Sequence, residues 1–445
     1  MLVQKVKRTY ETRPLDCWAK AKELRRNFYR NEVDARERGL FLVDAFNSYN
    51  TIAGIPNCHT ILLQPYGASI AAEGNKFARE CRAVSEGMGY GRDQCGYMLN
   101  WTGALNSNRG LLGKEFHQRD FAVAESNYCD CNSKHSQVLA EFQGIPHNWT
   151  DMVGYYGEPD AERDEARIEY LVTQQLELIE WLEKITGQEF DHENFIETAK
   201  GQMRLAAFRA DTLACLQHIP SPIDQKSLYS LLPLGSLVRS HQQETEAFWK
   251  SVRDEMRWRV ENNIAAVATE RFRWVELEPP PWFFLRYYRY MEEYGAVCLG
   301  TMYQQVRWEE QPDGTWTRPP TPLERGDPFG SSEDVIRARI RERNGGTGSQ
   351  PVGHGARHEQ YIDRFLRNYW AYKCNGAFLT LHRSGLGCVF GMREVALRLQ
   401  EEGIPYAHYE TSHPGDRCDL DESRMLEQLD TFMETQGLRK LEVED

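Results

Sequence analysis

Phe121-Ala-Val-Ala124, then Cys129, then Gly144-Ile145-Pro146 has a counterpart in the second half of the chain: Ala377-Phe-Leu-Thr-Leu381, Cys388, and Gly403-Ile404-Pro405. In both copies the cysteine stands 15 positions before the glycine. The short apolar runs have the character of strands buried in a parallel sheet. The stretch between cysteine and glycine reads as a helix, which glycine ends at C′ and proline keeps from continuing. The predicted unit is strand–Cys–helix–Gly-Ile-Pro–strand, twice. It sets each thiol near the C-terminal end of a parallel strand and the N-terminus of a helix. Ligands collect there in open α/β sheets, and the helix dipole favours thiolate over thiol by about 0.3–1 kcal/mol.

Working outward, Gly87-Met-Gly-Tyr-Gly-Arg-Asp-Gln-Cys95 is a glycine-rich turn that opens a helix running through Leu105, so Cys95 has the same kind of position. Thr60-Ile-Leu-Leu-Gln-Pro65 reads as a strand, followed by a helix over 68–84. From 162 to 271 the pattern is helical: Ile168, Leu171, Val172, Leu176, Ile179 and Leu182 mark one apolar face, and Pro220-Ser-Pro222 breaks the run in two. Strand and helix signals resume with Trp274-Val-Glu-Leu277, closed by Pro279-Pro-Pro281, and with Gly295-Ala-Val-Cys-Leu299. The fold class expected is α/β: two parallel-sheet domains joined by a helical region, with the cysteines meeting in the interdomain cleft. The expected divisions are a helical segment over 1–45, a first α/β domain over 46–160, a helical connector over 161–270 and a second α/β domain over 271–445. Within the last, the Gly/Pro-rich stretch 309–357 reads as a surface insertion.

The chain has 445 residues with 53 Lys plus Arg against 66 Asp plus Glu, a net charge of −13. That balance argues against nucleic acid as a partner, since binding a phosphate backbone needs a basic face. No run of ~18 apolar residues predicts a membrane span, so a cytoplasmic protein without a membrane partner is expected. The 11 cysteines are odd in number and widely spread, which disfavours a disulfide framework. Their ordinary role is as small buried apolar side chains; the other reading is that a few hold a metal or cluster. No C-x-x-C pair, ferredoxin run, phosphate loop, G-x-S-x-G elbow or H-E-x-x-H is present. Cys131 stands next to the aligned Cys129, within the first helical turn. His382, His408 and His413 flank the second copy, where a satisfied structural histidine is the ordinary reading.

Taken in order, Arg92-Asp-Gln-Cys95, Asn127-Tyr-Cys-Asp130 with Lys134, His382-Arg-Ser-Gly-Leu-Gly-Cys388 and Gly403-Ile-Pro405 through Glu410 and Asp416-Arg417 resemble the motifs of the 2-hydroxyacyl-CoA dehydratase and benzoyl-CoA reductase family. Pro220-Ser-Pro-Ile223 and Pro279-Pro-Pro-Trp282 match its middle region, and the resemblance covers residues 45–440. It implies a [4Fe–4S] cluster held by Cys95, Cys129 and Cys388, with Cys131 a substitute for Cys129. It also implies a related second cluster-binding subunit, ATP-hydrolysing electron-activating subunits, reduced ferredoxin as electron source and an acyl-CoA substrate. The length and the 309–357 insertion favour the larger subunit of an ATP-dependent benzoyl-CoA reductase, an oxidoreductase that dearomatises the ring. The alternatives are a 2-hydroxyacyl-CoA dehydratase subunit, a lyase that eliminates water through a ketyl radical, and a non-catalytic scaffold subunit.

Overall fold

The computed structural model describes residues 3–45, 49–73, 75–125, 130–151, 161–236, 242–277, 279–304, 306–345, 358–382, 391–411 and 420–444. The chain opens with two short strands, β1 (Gln4–Lys7) and β2 (Glu11–Thr12), and then α1 (Trp18–Val33). A first α/β unit follows: β3 (Phe41–Ala45), β4 (Cys58–Ile61), α2 (Leu63–Glu73), α3 (Asn75–Gly87), α4 (Gly96–Asn106), β5 (Phe121–Glu125), α5 (Asp130–Gln143) and β6 (His147–Thr150). The helical region comprises α6 (Ala161–Thr186), α7 (His192–Ala214), α8 (Gln225–Leu231), α9 (Pro233–Ser236) and α10 (Gln242–Glu261), closed by β7 (Ile264–Ala265).

The second unit runs β8 (Phe272–Leu277), α11 (Arg286–Glu292) and β9 (Ala296–Gly300), then β10 (Glu309–Glu310), β11 (Trp316–Thr317), α12 (Pro322–Arg325), α13 (Ser332–Gly345) and α14 (His358–Ala371). It ends with β12 (Gly376–His382), α15 (Met392–Glu401), β13 (Tyr406–Thr411), α16 (Glu422–Thr435) and β14 (Leu441–Glu444).

Each unit is built on a four-stranded sheet, ordered β4-β3-β5-β6 in the first and β13-β12-β8-β9 in the second, and every pairing in both is parallel. Numbering strands by their order within each unit, both sheets read 2-1-3-4. The chain leaves strand 1 on one side, returns to its other side and continues outward, which makes the gap between strands 1 and 3 the topological switch point. The doubled sequence unit is strand 3–helix–strand 4 in both. Its helix ends match. Gly144 has φ +64 and Gly403 φ +67. Gly144 N–H and Ile145 N–H donate to Glu141 and Ala140 carbonyls at 3.1 Å each, and Gly403 and Ile404 donate to Gln400 and Leu399 at 3.1 and 2.8 Å. These are paired Schellman closures, and each isoleucine is buried behind its glycine.

Three expectations are corrected. The 1–45 segment is not simply helical, because Phe41-Leu-Val-Asp-Ala45 forms β3, strand 1 of the first sheet. The strand expected over 60–65 ends at Ile61, and Leu63 begins α2 with Pro65 in its first turn, where its missing N–H costs nothing. The 309–357 stretch is more than a surface insertion: Val335, Ile336 and Ile340 of α13 are fully buried in one core cluster with Val43, Phe121 and Leu182. Arg337 reinforces this contact through Glu169 of α6. The N-terminal arm spans the molecule as well, since β2 pairs with β7 and β1 with the C-terminal β14.

Candidate functional site

Cys95 is the described member of the candidate set with an assigned place in the fold. It is the N-cap of α4, 4% exposed, and its side chain makes no capping hydrogen bond. The helix behind it is mostly apolar and buried from Gly96 to Ala104, with Asn100 and Thr102 hydrogen-bonded to neighbouring elements. Two glycines let it thread between its neighbours. A Cβ on Gly103 would lie 1.9 Å from the Cys81 carbonyl oxygen of α3, and one on Gly67 would lie 2.6 Å from the Tyr97 carbonyl oxygen. Asn100 Nδ2 donates to the Gly67 carbonyl at 3.0 Å and Ser85 Oγ to the Leu99 carbonyl at 2.7 Å, so the turns above Cys95 are held from both sides.

Tyr97, two residues past Cys95, joins the two units. Its hydroxyl accepts from Trp282 Nε1 at 2.6 Å and lies 3.0 Å from the Tyr303 hydroxyl. Trp282 comes from the turn after Pro279-Pro-Pro281, and Tyr303 follows strand β9. Tyr229 of α8 packs on Trp282 with ring centroids 5.0 Å apart. The first turn of the Cys95 helix therefore abuts the segments that follow β8 and β9.

Cys129 and Cys388 lie outside the described residues. In sequence they fall between Glu125 of β5 and Asp130 of α5, and between His382 of β12 and Met392 of α15. Each thus follows strand 3 of its sheet, the strand that borders the switch point. Cys131 is half-buried in the first turn of α5, as expected. Among the described residues no group of three or more His, Cys, Asp and Glu side chains could hold a metal ion, and no cysteine is in a disulfide. Cys95 alone can be tested for fit to a cluster, and it fits: a soft thiol at a helix N-cap, in a buried setting, with no capping duty.

The two buried histidines, His382 and His135, take structural places. His382 Nε2 lies 3.0 Å from the Pro279 carbonyl, and burial pushes its pKa down to about 3, so it is neutral at pH 7. His135 of α5 bonds Thr102 of α4, lies tilted against the Tyr90 ring with centroids 5.1 Å apart, and is pushed down by burial to about 4. His408 is exposed on β13, and His413 lies outside the described residues.

Sequence reasoning missed one feature. Glu276 of β8 is fully buried at the sheet centre. Tyr287 Oη donates to both its carboxylate oxygens at 2.6 Å, Tyr288 and Tyr409 hydroxyls donate as well, and Thr380 Oγ1 lies at 3.3 Å. Burial raises its pKa to about 7, while the phenol hydrogen bonds pull the other way. The only sequence signal was an acid inside the apolar run Trp274-Val-Glu-Leu277, which periodicity alone cannot distinguish from a surface position.

The family model described as "2-hydroxyglutaryl-CoA dehydratase, D-component" matches residues 69–435. The chain belongs to that family. Among its curated relatives, the (R)-phenyllactyl-CoA dehydratase alpha subunit of Clostridium sporogenes is 25% identical over 62% of this chain and 66% of its own length, just under two thirds. The (R)-2-hydroxyisocaproyl-CoA dehydratase alpha subunit of Clostridioides difficile is 24% identical over 88% of both chains. The (R)-2-hydroxyglutaryl-CoA dehydratase subunit alpha of Acidaminococcus fermentans is 28% identical over 29% of this chain and 26% of its own.

For this D-component family member, all three candidate cysteines fall inside the matched span. The relatives support the dehydratase alternative better than the benzoyl-CoA reductase branch preferred from length and insertion. Among the described residues no helix is long and apolar enough to cross a membrane.

Proposed function

We propose that the chain is a [4Fe–4S]-carrying subunit of a 2-hydroxyacyl-CoA dehydratase, with Cys95, Cys129 and Cys388 as the iron ligands and the junction of the two α/β units as the site. The family match over 69–435, with dehydratase alpha subunits as relatives, carries the reading. The shared 2-1-3-4 order supports the choice of ligands, since Cys129 and Cys388 follow equivalent strands. When bound, the cluster supplies single electrons at low potential, and three thiolates leave one of its irons without a protein thiolate. The domain divisions proposed are a first α/β unit ending near 160, a helical connector to about 270 and a second α/β unit to the end, with β3 assigned to the first.

The overall reaction is redox-neutral: the 2-hydroxyl and a β-hydrogen leave as water, a 2-enoyl thioester remains, and the activating electron is recovered. The chain's own part is positional. The α4 N-terminus favours thiolate at Cys95. The buried length of α4 and the Tyr97–Trp282–Tyr303 contact keep water from the junction, which protects radical species. Neutral His382 holds the Pro279 carbonyl and so fixes the turn that presents Trp282. A related second cluster-binding subunit completes the enzyme. ATP-hydrolysing activating subunits, reduced by ferredoxin, deliver the electron.

The test is anaerobic reconstitution with such partners, supplying a 2-hydroxyacyl-CoA or benzoyl-CoA. Formation of the 2-enoyl-CoA alone supports the reading. A cyclic diene from benzoyl-CoA would overturn it in favour of the reductase branch. Full turnover by a complex carrying Cys95→Ser, Cys129→Ser and Cys388→Ser together would leave a scaffold.

A further inference from the structure

Glu276 lies on β8, strand 1 of the second sheet, which borders the switch point, and Thr380 Oγ1 of β12 reaches it from the other side at 3.3 Å. Its partners can take a proton as well as give one. Tyr287 Oη donates to the carboxylate at 2.6 Å, and the Tyr288 and Tyr409 hydroxyls donate too. A guanidinium in their place could only donate and would pin the acid ionised, whereas a phenol hydroxyl both donates and accepts. The cradle therefore suits both protonation states. Tyr409 Oη lies 3.3 Å from Tyr287 Oη, so one phenol can turn to the other when the carboxyl no longer needs every donor. Burial raises the carboxyl to about 7, which brings both states within reach near neutral pH. The other titratable groups that feel its charge are Cys298 of β9 and Tyr229 of α8, both buried.

Two further hydroxyls extend the cradle. The rings of Tyr229 and Tyr288 lie 5.8 Å apart. Burial and the Glu276 charge raise the Tyr229 phenol well above its usual pKa, and the Thr301 and Tyr288 hydroxyls pull it back, so both stand close to it. Yet Tyr229 Oη and Thr301 Oγ1 have no hydrogen-bond partner among the described residues, and both side chains are buried. Buried hydroxyls left unmatched are costly, so the pair calls for a reason. Proton transfer supplies one. When Glu276 takes a proton, Tyr288 is released from donating to it and can donate to Tyr229, which can donate to Thr301. The row Glu276–Tyr288–Tyr229–Thr301 leads from the sheet centre to its carboxyl edge, because Thr301 is the first residue past β9. Thr301 opens the segment that carries Tyr303, whose hydroxyl meets Tyr97 two residues past Cys95.

Dehydration moves two protons: one joins the departing 2-hydroxyl, and one leaves the β-carbon. A site that keeps water from radical species needs an internal source for the first and an internal acceptor for the second. We infer that Glu276 is the proton store for this exchange, giving a proton along the hydroxyl row to the departing hydroxyl and taking back the one that leaves the β-carbon. The O–H bond of the carboxyl breaks and then re-forms, so each turnover ends with Glu276 as it began and consumes no proton or electron. Glu276 works through the row rather than on the substrate. This rests on the function proposed above.

Infrared spectroscopy on the intact chain and kinetics of the reconstituted complex test this, with wild type, Glu276→Gln, Glu276→Asp and Tyr229→Phe. The wild-type spectrum should show a protonated-carboxyl band that titrates near pH 7 and is missing from Glu276→Gln. At equal iron content, Glu276→Gln and Tyr229→Phe should each lower kcat at least tenfold with KM for the 2-hydroxyacyl-CoA unchanged. Wild-type kcat should fall as the pH rises through about 7, because the store must start protonated, and Glu276→Gln should lack that inflection. Glu276→Asp should restore part of both. Tyr229→Phe removes a hydroxyl that has no partner, so it should fold as well as the wild type and carries the test if Glu276→Gln does not fold. Full kcat with a wild-type pH profile in either variant would overturn the inference and leave the dehydratase reading intact. A fall in kcat that follows lost iron or a lower Tm, with the inflection kept, would make Glu276 structural and overturn it too. A wild-type complex that forms no 2-enoyl-CoA would overturn the dehydratase reading, and the inference with it.

Discussion

Beside the first sheet one buried acid is Glu32 of α1, and it is met by a charge. Arg119 binds it at 3.1 Å with both side chains almost fully buried, and the guanidinium also lies 4.4 Å from the Phe116 ring centroid and 4.9 Å from that of Trp101. In the second sheet the buried acid is Glu276, and among the described residues it is met by three phenol hydroxyls and no cation. The strand order is the same in both. The difference shows that local side chains decide whether a buried acid is balanced by charge or by hydrogen bonds. In the first case the guanidinium offsets part of the burial that pushes the Glu32 carboxyl up. In the second the proton itself becomes part of the balance.

The largest expected effect breaks the charge-balanced side. Arg119→Met strands Glu32 in the core, and the variant should lose about 3–5 kcal/mol of stability near pH 7. Denaturant unfolding measures this, and repeating it at pH 4 should recover part of the loss, because Glu32 can then take a proton. A loss equal at both pH values would show that packing, not charge, is what Arg119 contributes.

The next effect concerns the phenol-balanced side. With its pKa raised from 4.5 to about 7, Glu276 holds its proton more tightly folded than unfolded. Native stability from this group is therefore greatest below about pH 4.5, falls as the pH rises, and has been lost by just above 7. Across that window the wild type should lose on the order of 3 kcal/mol more than Glu276→Gln. Parallel pH profiles for the two proteins would contradict the assignment.

A third prediction uses a part the second unit lacks, the buried Cys95 helix between strands 2 and 3. Gly103→Ala forces α4 off α3 and should cost about 1–3 kcal/mol, with Tm falling accordingly. The smallest effect refines the phenol cradle: Tyr409→Phe removes one donor of three and should cost about 1 kcal/mol. It should also move the Glu276 transition to higher pH. An unchanged transition would mean that Tyr287 and Tyr288 alone set it.

Much of this arrangement could be read from the sequence. The Cys-to-Gly-Ile-Pro spacing located strand 3, its helix and strand 4 in both sheets, because positive-φ glycine and proline are local signals that tertiary context rarely overrides. Strand 1 of the first sheet escaped because Phe41-Leu-Val-Asp-Ala45 is short and adjoins a charged helix, so its period was masked. The interior place of α13 escaped because Val335, Ile336 and Ile340 are set among arginines whose partners lie on α6 and α7, far away in sequence. Of the site, Cys95 was legible from its glycine-rich turn. Glu276 was not, since being balanced by phenols rather than by charge is a property of three-dimensional neighbours alone.

The central claim is that cysteines from both units hold one cluster. The direct measurement is iron and acid-labile sulfide per chain, after anaerobic co-expression with a partner subunit, for the wild type, Cys95→Ser and Cys388→Ser. The account predicts about four of each in the wild type, lost in either variant although one cysteine lies in each unit. A folded, stable wild-type chain without iron, or a cluster that survives both substitutions, would contradict it.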